Sequence, residues 1–267
     1  MGDVYLHGHH ASVLASHGAR TAADSAAYLL PHLRPGLSVL DVGCGPGTIT
    51  LDLAEAVAPT GAVTGVEYVE GPLEHARRNA AARGDERTQF DLADVRELPY
   101  ADASFDVVHA HQVLQHLSDP VGALREMARV ARPGGLVAVR DVDYASMVWH
   151  PASEGMTRWL GVYRRLARLN HAEPDAGRHL VAWSHAAGLT QLSPSASLWT
   201  YATPEQCAWW GGTWARRALE STFATQALER GLVTPDDLAA ISADWQAWST
   251  HPDAWFAMTH AEVIAHV

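Results

Sequence analysis

The stretch "VLDVGCGPGTIT", Val39 to Thr50, decides the fold. Its apolar start, bounded by turn residues, has the character of a strand buried on both faces of a parallel sheet. The strand carries an acid, Asp41, and runs into three alternating glycines, Gly43, Gly45 and Gly47, with Cys44 inside the bend. "TITLDLAEAV" follows with helical spacing and stops at Pro59 and Gly61. A strand, a glycine bend and a helix in that order make the opening unit of an alternating α/β chain.

The alternation continues on both sides. Upstream, "TAADSAAYLLPHL" (Thr21 to Leu33) reads as an amphipathic helix ended by "RPG". Downstream, "AVTGVEY", "TQFDLAD", "SFDVVHAHQ" and "LVAVRDVD" read as strands. Between them "GPLEHARRNAAARG" is a helix stopped by Gly84, and "DPVGALREMARVARPGG" is one capped by Asp119. Such a pattern predicts a doubly wound, mostly parallel sheet with right-handed crossovers. After Asp143, "TRWLGVYRRLARLN" and "GRHLVAWSHAAGL" read as helices and "TQLSPSASLWTYA" as extended chain. Residues 203–250 are helical and tryptophan-rich, and "DAWFAMTHAEVIAHV" closes with strand-like alternation. The predicted organisation is a lid segment and helix over 1–34, a cofactor-binding core over 35–202, a helical cap over 203–253 and a final core strand over 254–267.

The chemistry of the bend narrows its ligand. A dinucleotide fingerprint needs G-x-G-x-x-G opening the helix, and here Thr48 stands at the third fingerprint position. No Lys-Ser/Thr pair follows, so a P-loop is absent. Asp41 would repel a pyrophosphate but suits a ligand with a cationic end. Glu67, ending the second strand, can accept both hydroxyls of a ribose, and it argues against a 2′-phosphate. Asp94, after the third strand, can accept from an adenine exocyclic amine, with the Val95 amide facing a ring nitrogen. Each acid alone is as readily a solvated loop residue; three at successive strand ends are harder to explain that way.

The segments "VLDVGCGPGTIT", "GVEYVEGPLEHAR", "DVRELPYADASFDVVHAHQVLQHLSDP" and "LREMARVARPGGLVAVRD" resemble the class I S-adenosylmethionine-dependent methyltransferases, and within them the ubiquinone/menaquinone-biosynthesis-type small-molecule enzymes. The resemblance covers about Val39 to Asp141. It implies a seven-stranded Rossmann-like sheet with a reversed last strand, and S-adenosyl-L-methionine as cofactor. Carried over, it sets Gly43, Gly45 and Gly47, with Cys44 between them, against the methionine and ribose. Glu67 then takes the ribose hydroxyls, Tyr68 and Val69 lie beside the adenine, Asp94 and Val95 read its edge, and His111 borders the sulfonium. Sequence outside that span varies in the family, so the acceptor does not transfer.

The leader "VYLHGHHASVLASHGAR" carries more aromatic and imidazole groups than a disordered tail requires. In the resembled family such a segment often folds over cofactor and acceptor. Tyr5, His9, His10 and Arg20 are therefore candidates to close the pocket, with Arg20 a bidentate partner for the cofactor's carboxylate. The alternative is a leader that packs on the sheet edge. A metal on "HGHH" lacks a completing ligand. Trp210 and Trp214 share a helical face, as do Trp245 and Trp248. They are helix–helix core or, for one or two of them, the wall of an aromatic acceptor pocket. His111 and His116 are general-base candidates by type, and neither needs that role to be explained.

Composition bounds the rest. The chain has 267 residues, 48% hydrophobic and 18% charged, and a formal charge of −11 without a basic stripe, which argues against nucleic acid. The "HAHQ" after the fourth strand is no base-methylation motif either. No apolar run approaches the roughly 20 residues of a membrane span, and the start lacks the marks of a secretory or myristoylation signal. Two cysteines make a structural disulfide improbable and fit a cytoplasmic location. A small-molecule methyl acceptor, aromatic or hydrophobic, is the expected partner, and a homodimer stays open. Two alternatives remain: a cofactor-binding regulator without catalysis, and a nicotinamide-dependent oxidoreductase.

Overall fold

The computed structural model describes residues 18–267. Seven strands form one sheet: β1 (Ser38–Val42), β2 (Ala62–Glu67), β3 (Gln89–Leu92), β4 (Phe105–His111), β5 (Ala131–His150), β6 (Gln191–Tyr201) and β7 (Trp255–His266). Their order is β3-β2-β1-β4-β5-β7-β6. The first five pair in parallel, and β7 runs antiparallel to both of its neighbours. The predicted α/β sheet with a reversed last strand is the architecture observed.

Alternation along the strands sends side chains into two layers. Leu40, Val42, Val108 and Val137 pack with helices α4 (Pro120–Val130) and α6 (Leu180–Ala186). Val39, Val63, Val107 and Ala138 pack on the other face with α1 (Ala22–Ser25) and α2 (Thr48–Ala56). Helix α3 (Glu70–Arg83) adds Leu73, Ala76 and Ala80 to a smaller cluster with Phe90 and Cys44, and ends on left-handed Gly84 as its sequence requires.

The first helix differs from its sequence reading. Thr21–Leu33 is not a continuous helix: α1 spans four residues under a Thr21–Asp24 capping box, and a 3-10 turn follows at Leu30–His32. A helix through this segment would need a backbone N–H at Pro31, which proline lacks. The buried Ala26 and Leu29 hold the broken segment against the sheet instead.

β5 also outruns its predicted length, reaching His150 across an irregularity between Asp143 and Val148. Its far end pairs with the start of β7, where Trp149 lies opposite Phe256. That two-stranded extension carries α7 (Pro204–Glu220), α8 (Thr222–Glu229) and α9 (Pro235–Ser249), inserted between β6 and β7 as the sequence predicts. Helix α5 (Glu154–Leu169), assigned to the core by sequence, packs with these cap helices through Trp159, Tyr163 and Leu166. Trp159, Trp214 and Trp245 form the centre of this second core, with ring centroids 4.4 Å (Trp159–Trp214) and 5.1 Å (Trp159–Trp245) apart.

Candidate functional site

All three glycines of the bend after β1 have positive φ, between 53° and 75°. A Cβ on Gly43 would stand 2.4 Å from Val113 Cγ2, and one on Gly47 would stand 2.9 Å from Ala76 and 3.0 Å from Phe90. Those two glycines let the bend close against its neighbours. A Cβ on Gly45 meets nothing within 4 Å, so Gly45 is the one that faces open space. Beneath the bend, Asp41 accepts hydrogen bonds from Thr50 Oγ1 at 2.6 Å and His109 Nδ1 at 2.8 Å. Its charge is therefore committed to a buried network that fixes α2 against β4. Asp41 nevertheless remains in the wall of the cavity on which the strand ends open.

Glu67 ends β2 with both oxygens engaged by backbone amides. Oε2 accepts from the Gly45 amide at 3.1 Å and Oε1 from the Tyr68 amide at 3.0 Å. Burial raises its pKa against those two donors. Asp94 is gripped by Arg96, whose guanidinium also lies 5.9 Å from the Tyr68 ring. That ion pair holds the Asp94 carboxyl below its usual range. Val95 is buried beside it.

These strand ends open on one cavity of about 990 Å³. Gly43, Cys44, Gly45, Glu67, Tyr68 and Val69 line one end, with Asp41, Asp94 and Val95 also in its wall. Gly47 itself lies outside the lining. The other end belongs to the cap and the extended ribbon: Tyr144, Met147, Tyr201, Trp210, Trp214 and Arg217. Trp210 stacks on Tyr201 at 4.4 Å, so Trp210 and Trp214 are both core and cavity wall. Trp245 and Trp248 are core alone.

Between the two ends sits a polar junction. His111 ends β4, and Gln112 follows it with a φ of 55°, a left-handed conformation that costs a non-glycine residue energy. The Gln112 side chain accepts from Arg20 at 3.0 Å and meets His260 Nε2 at 2.8 Å. Arg20 and Arg140 both lie over the Trp199 ring, at 5.3 and 5.1 Å. Arg140 reaches Glu262 at 3.2 Å, and burial lowers its pKa to about 10. Burial, then Arg140, hold His111 well below its ordinary value. Burial, then Arg20, push His116 down to about 3. Both histidines line the cavity. Tyr5, His9 and His10 lie outside the described residues.

The sequence reading missed Gln112, Tyr144, Tyr201 and Arg217. Arg217 was legible, since it lies seven residues after Trp210 and three after Trp214 on one helical face. Gln112 and the tyrosines carried no local signal.

Residues 33–188 match a family model described as a methyltransferase domain. An uncharacterized methyltransferase of Schizosaccharomyces pombe is 32% identical over 97% of this chain and 95% of its own length. This chain belongs to the methyltransferase domain family. A demethylmenaquinone methyltransferase of Staphylococcus aureus is 42% identical to this methyltransferase, over 43% of this chain and 47% of that one. Among solved structures, the YcgJ protein of Bacillus subtilis shares the fold with a TM-score of 0.59 at 20% identity, covering 90% of this chain and 96% of that one. The methyltransferase is of class I, and its methyl donor is S-adenosylmethionine. The bend fits that group: Gly45 is open to the cavity, and Glu67 stands fixed by two amides at the next strand end.

Proposed function

We propose that this methyltransferase acts on a small molecule with an aromatic or hydrophobic body. The carrying observation is the single cavity that joins the glycine bend to a wall of Tyr144, Tyr201, Trp210 and Trp214. Large rigid rings bury apolar area at little entropic cost and suit planar ligands.

In this reading Gly43, Gly45 and Cys44 flank the donor's methionine and ribose, and Glu67 accepts from the ribose hydroxyls. Tyr68 and Val69 flank the adenine, with Asp94 and Val95 at its edge. Arg20 faces the donor's carboxylate, and Gln112 holds Arg20 there. Bound S-adenosylmethionine supplies a sulfonium methyl group, already carried by a good leaving group. The chain's own residues then have positioning and exclusion of water as their main task. The cap and ribbon supply the apolar wall, and the junction residues align the acceptor.

Two free cysteines, Cys44 and Cys207, are both buried, which supports a cytoplasmic location. No helix among the described residues is long and apolar enough to cross a membrane. The test is transfer of labelled methyl from S-adenosylmethionine to a panel of phenols, quinones and indoles. Labelled product with at least one supports the reading. Cofactor binding without any transfer favours a non-catalytic regulator.

A further inference from the structure

The two edges of the sheet are built differently. β3 has four residues and carries Asp91, an edge both short and charged. β6 forms the other edge with 11 residues, Gln191–Tyr201, and none of them is charged. Its register against β7 runs without a shift, so no bulge turns the edge away. Among the described residues, no backbone hydrogen bond reaches β6 from any element but β7. Residues 193–196 are exposed, and Leu198 is 62% exposed.

Pro194 fixes which backbone groups point outward. It has no N–H to donate, and it stands opposite Val263 of β7. Bonded and non-bonded pairs alternate along an antiparallel ladder, so Pro194 belongs to a non-bonded pair. The odd-numbered residues of β6 then bond β7. Leu192, Pro194, Ala196, Leu198 and Thr200 aim their backbone groups away from the sheet. The far side of β7 agrees: Val267 donates to Gly135 and accepts from Gly134, both on β5. Odd-numbered residues of β7 thus face β5, and even-numbered ones face β6. Ala202, next in the outward series, gives its N–H to Gln206 Oε1.

From this geometry we propose that β6 joins two copies of this chain, paired antiparallel about a two-fold axis at Ala196. A free edge offers donors and acceptors in series, and addition of a strand satisfies them. Setting Ala196 opposite its own copy uses every outward N–H of the strand. Leu192 pairs with Thr200, Ala196 with Ala196, and the Leu198 N–H meets the Pro194 carbonyl. Moving the axis by one residue in either direction leaves an outward N–H without a partner in the strand. The side chains agree with that register. Leu198 meets Pro194 of the second copy, Ser193 meets Trp199, and Ser195 meets Ser197. Charge selects the partner as well. The chain carries a formal charge of −11, so two copies repel except where they meet on an uncharged surface, and β6 is one. The pairing also reaches the cavity: Leu198 and Thr200 lie in its wall, opposite Pro194 and Leu192 of the second copy.

The test is the mass of the full chain in sedimentation equilibrium, with substitutions at Ala196. The wild type is expected to be a dimer. Ala196→Pro removes the central outward N–H and leaves the β7 ladder intact, so it should raise the dissociation constant at least about tenfold. Ala196→Lys sets like charges together across the axis and should act in the same direction. It also lowers the chain's net negative charge, so general repulsion would act the opposite way. Ala196→Cys should cross-link two chains on mild oxidation, since paired Cα atoms about 5.5 Å apart suit a disulfide. Leu219→Cys, 50% exposed on α7, should not, and the natural Cys44 and Cys207 are buried. A monomeric wild type overturns the proposal, as does a dimer that either Ala196→Pro or Ala196→Lys, once folded, leaves unweakened. Cross-linking of both cysteine variants alike, or of neither, overturns the axis at Ala196. If circular dichroism shows Ala196→Pro unfolded, Ala196→Lys and Ala196→Cys decide.

Discussion

The two ends of the cavity are built by different means. At the strand ends, backbone geometry makes the site: a glycine bend, two amides on Glu67, and an ion pair on Asp94. At the cap, side-chain bulk makes it: a cluster of tryptophans and tyrosines whose rings interlock and whose inner members line the cavity. The first end tolerates little change in shape at the bend, where a Cβ on Gly43 or Gly47 would meet its neighbours at 3.0 Å or less. The second derives both stability and ligand wall from the same rings, so changes there mix the two effects.

The largest expected effect breaks the cap. Trp159 is fully buried against Trp214 and Trp245 and does not line the cavity. Trp159→Ala is expected to lower stability by about 3–5 kcal/mol in urea denaturation, through lost burial and a cavity. If the cap were only loosely packed, the loss would stay under about 1 kcal/mol.

The next effect lies on β5. Asp141 is buried, accepts from the Gln115 amide at 3.2 Å, and has its second oxygen buried without a partner. Burial raises its pKa from 3.8 to about 7. The folded chain thus holds a proton that the unfolded chain releases earlier. The stability linked to it is complete below the ordinary carboxylate value and is lost as pH rises through about 7. Wild-type stability should fall by on the order of 1–4 kcal/mol from pH 4 to pH 8 through this group. Asp141→Asn, close in shape to the protonated acid, should flatten that fall in thermal melts. A variant as pH-dependent as the wild type would refute the assignment.

At the strand ends the effects fall on binding. Glu67→Ala removes the carboxylate proposed to accept from the ribose and frees two amides, so S-adenosylhomocysteine should bind about 10- to 100-fold more weakly, or about 1–3 kcal/mol. Asp94→Ala removes a half-exposed carboxylate already shared with Arg96, and should cost less than about tenfold. Calorimetry on both variants sharpens the comparison: equal losses would mean that Arg96 does not compete for Asp94.

Much of the first end was legible in the sequence, and for a physical reason. Strand, bend and helix are local: Val39–Val42, Gly43 and Gly47, and the capped α3 and α4 each carry their signal within a few residues. The hydrogen bonds of Asp41 were only half legible, because Thr50 is near in sequence but His109 arrives from β4 across the sheet. That Thr21–Leu33 is no single helix was legible in principle, since Pro31 lacks an N–H, but the chain already leaves the helix at Ala26, where no local signal stands. The second end was legible only as a set of tryptophans. Which of them face the cavity depends on β6, β7 and three helices meeting, and the strained turn at Gln112 takes its meaning from Arg20 and His260, far away in the chain.

The central claim is that the bend after β1 receives S-adenosylmethionine, with Gly45 as its open face. Calorimetric titration of S-adenosylhomocysteine into the wild type and into Gly45→Val tests it most directly. The account predicts one-to-one binding by the wild type and loss of that binding in Gly45→Val, whose new side chain would enter the cavity. No binding by the wild type, or equal affinity in the two proteins, would contradict it.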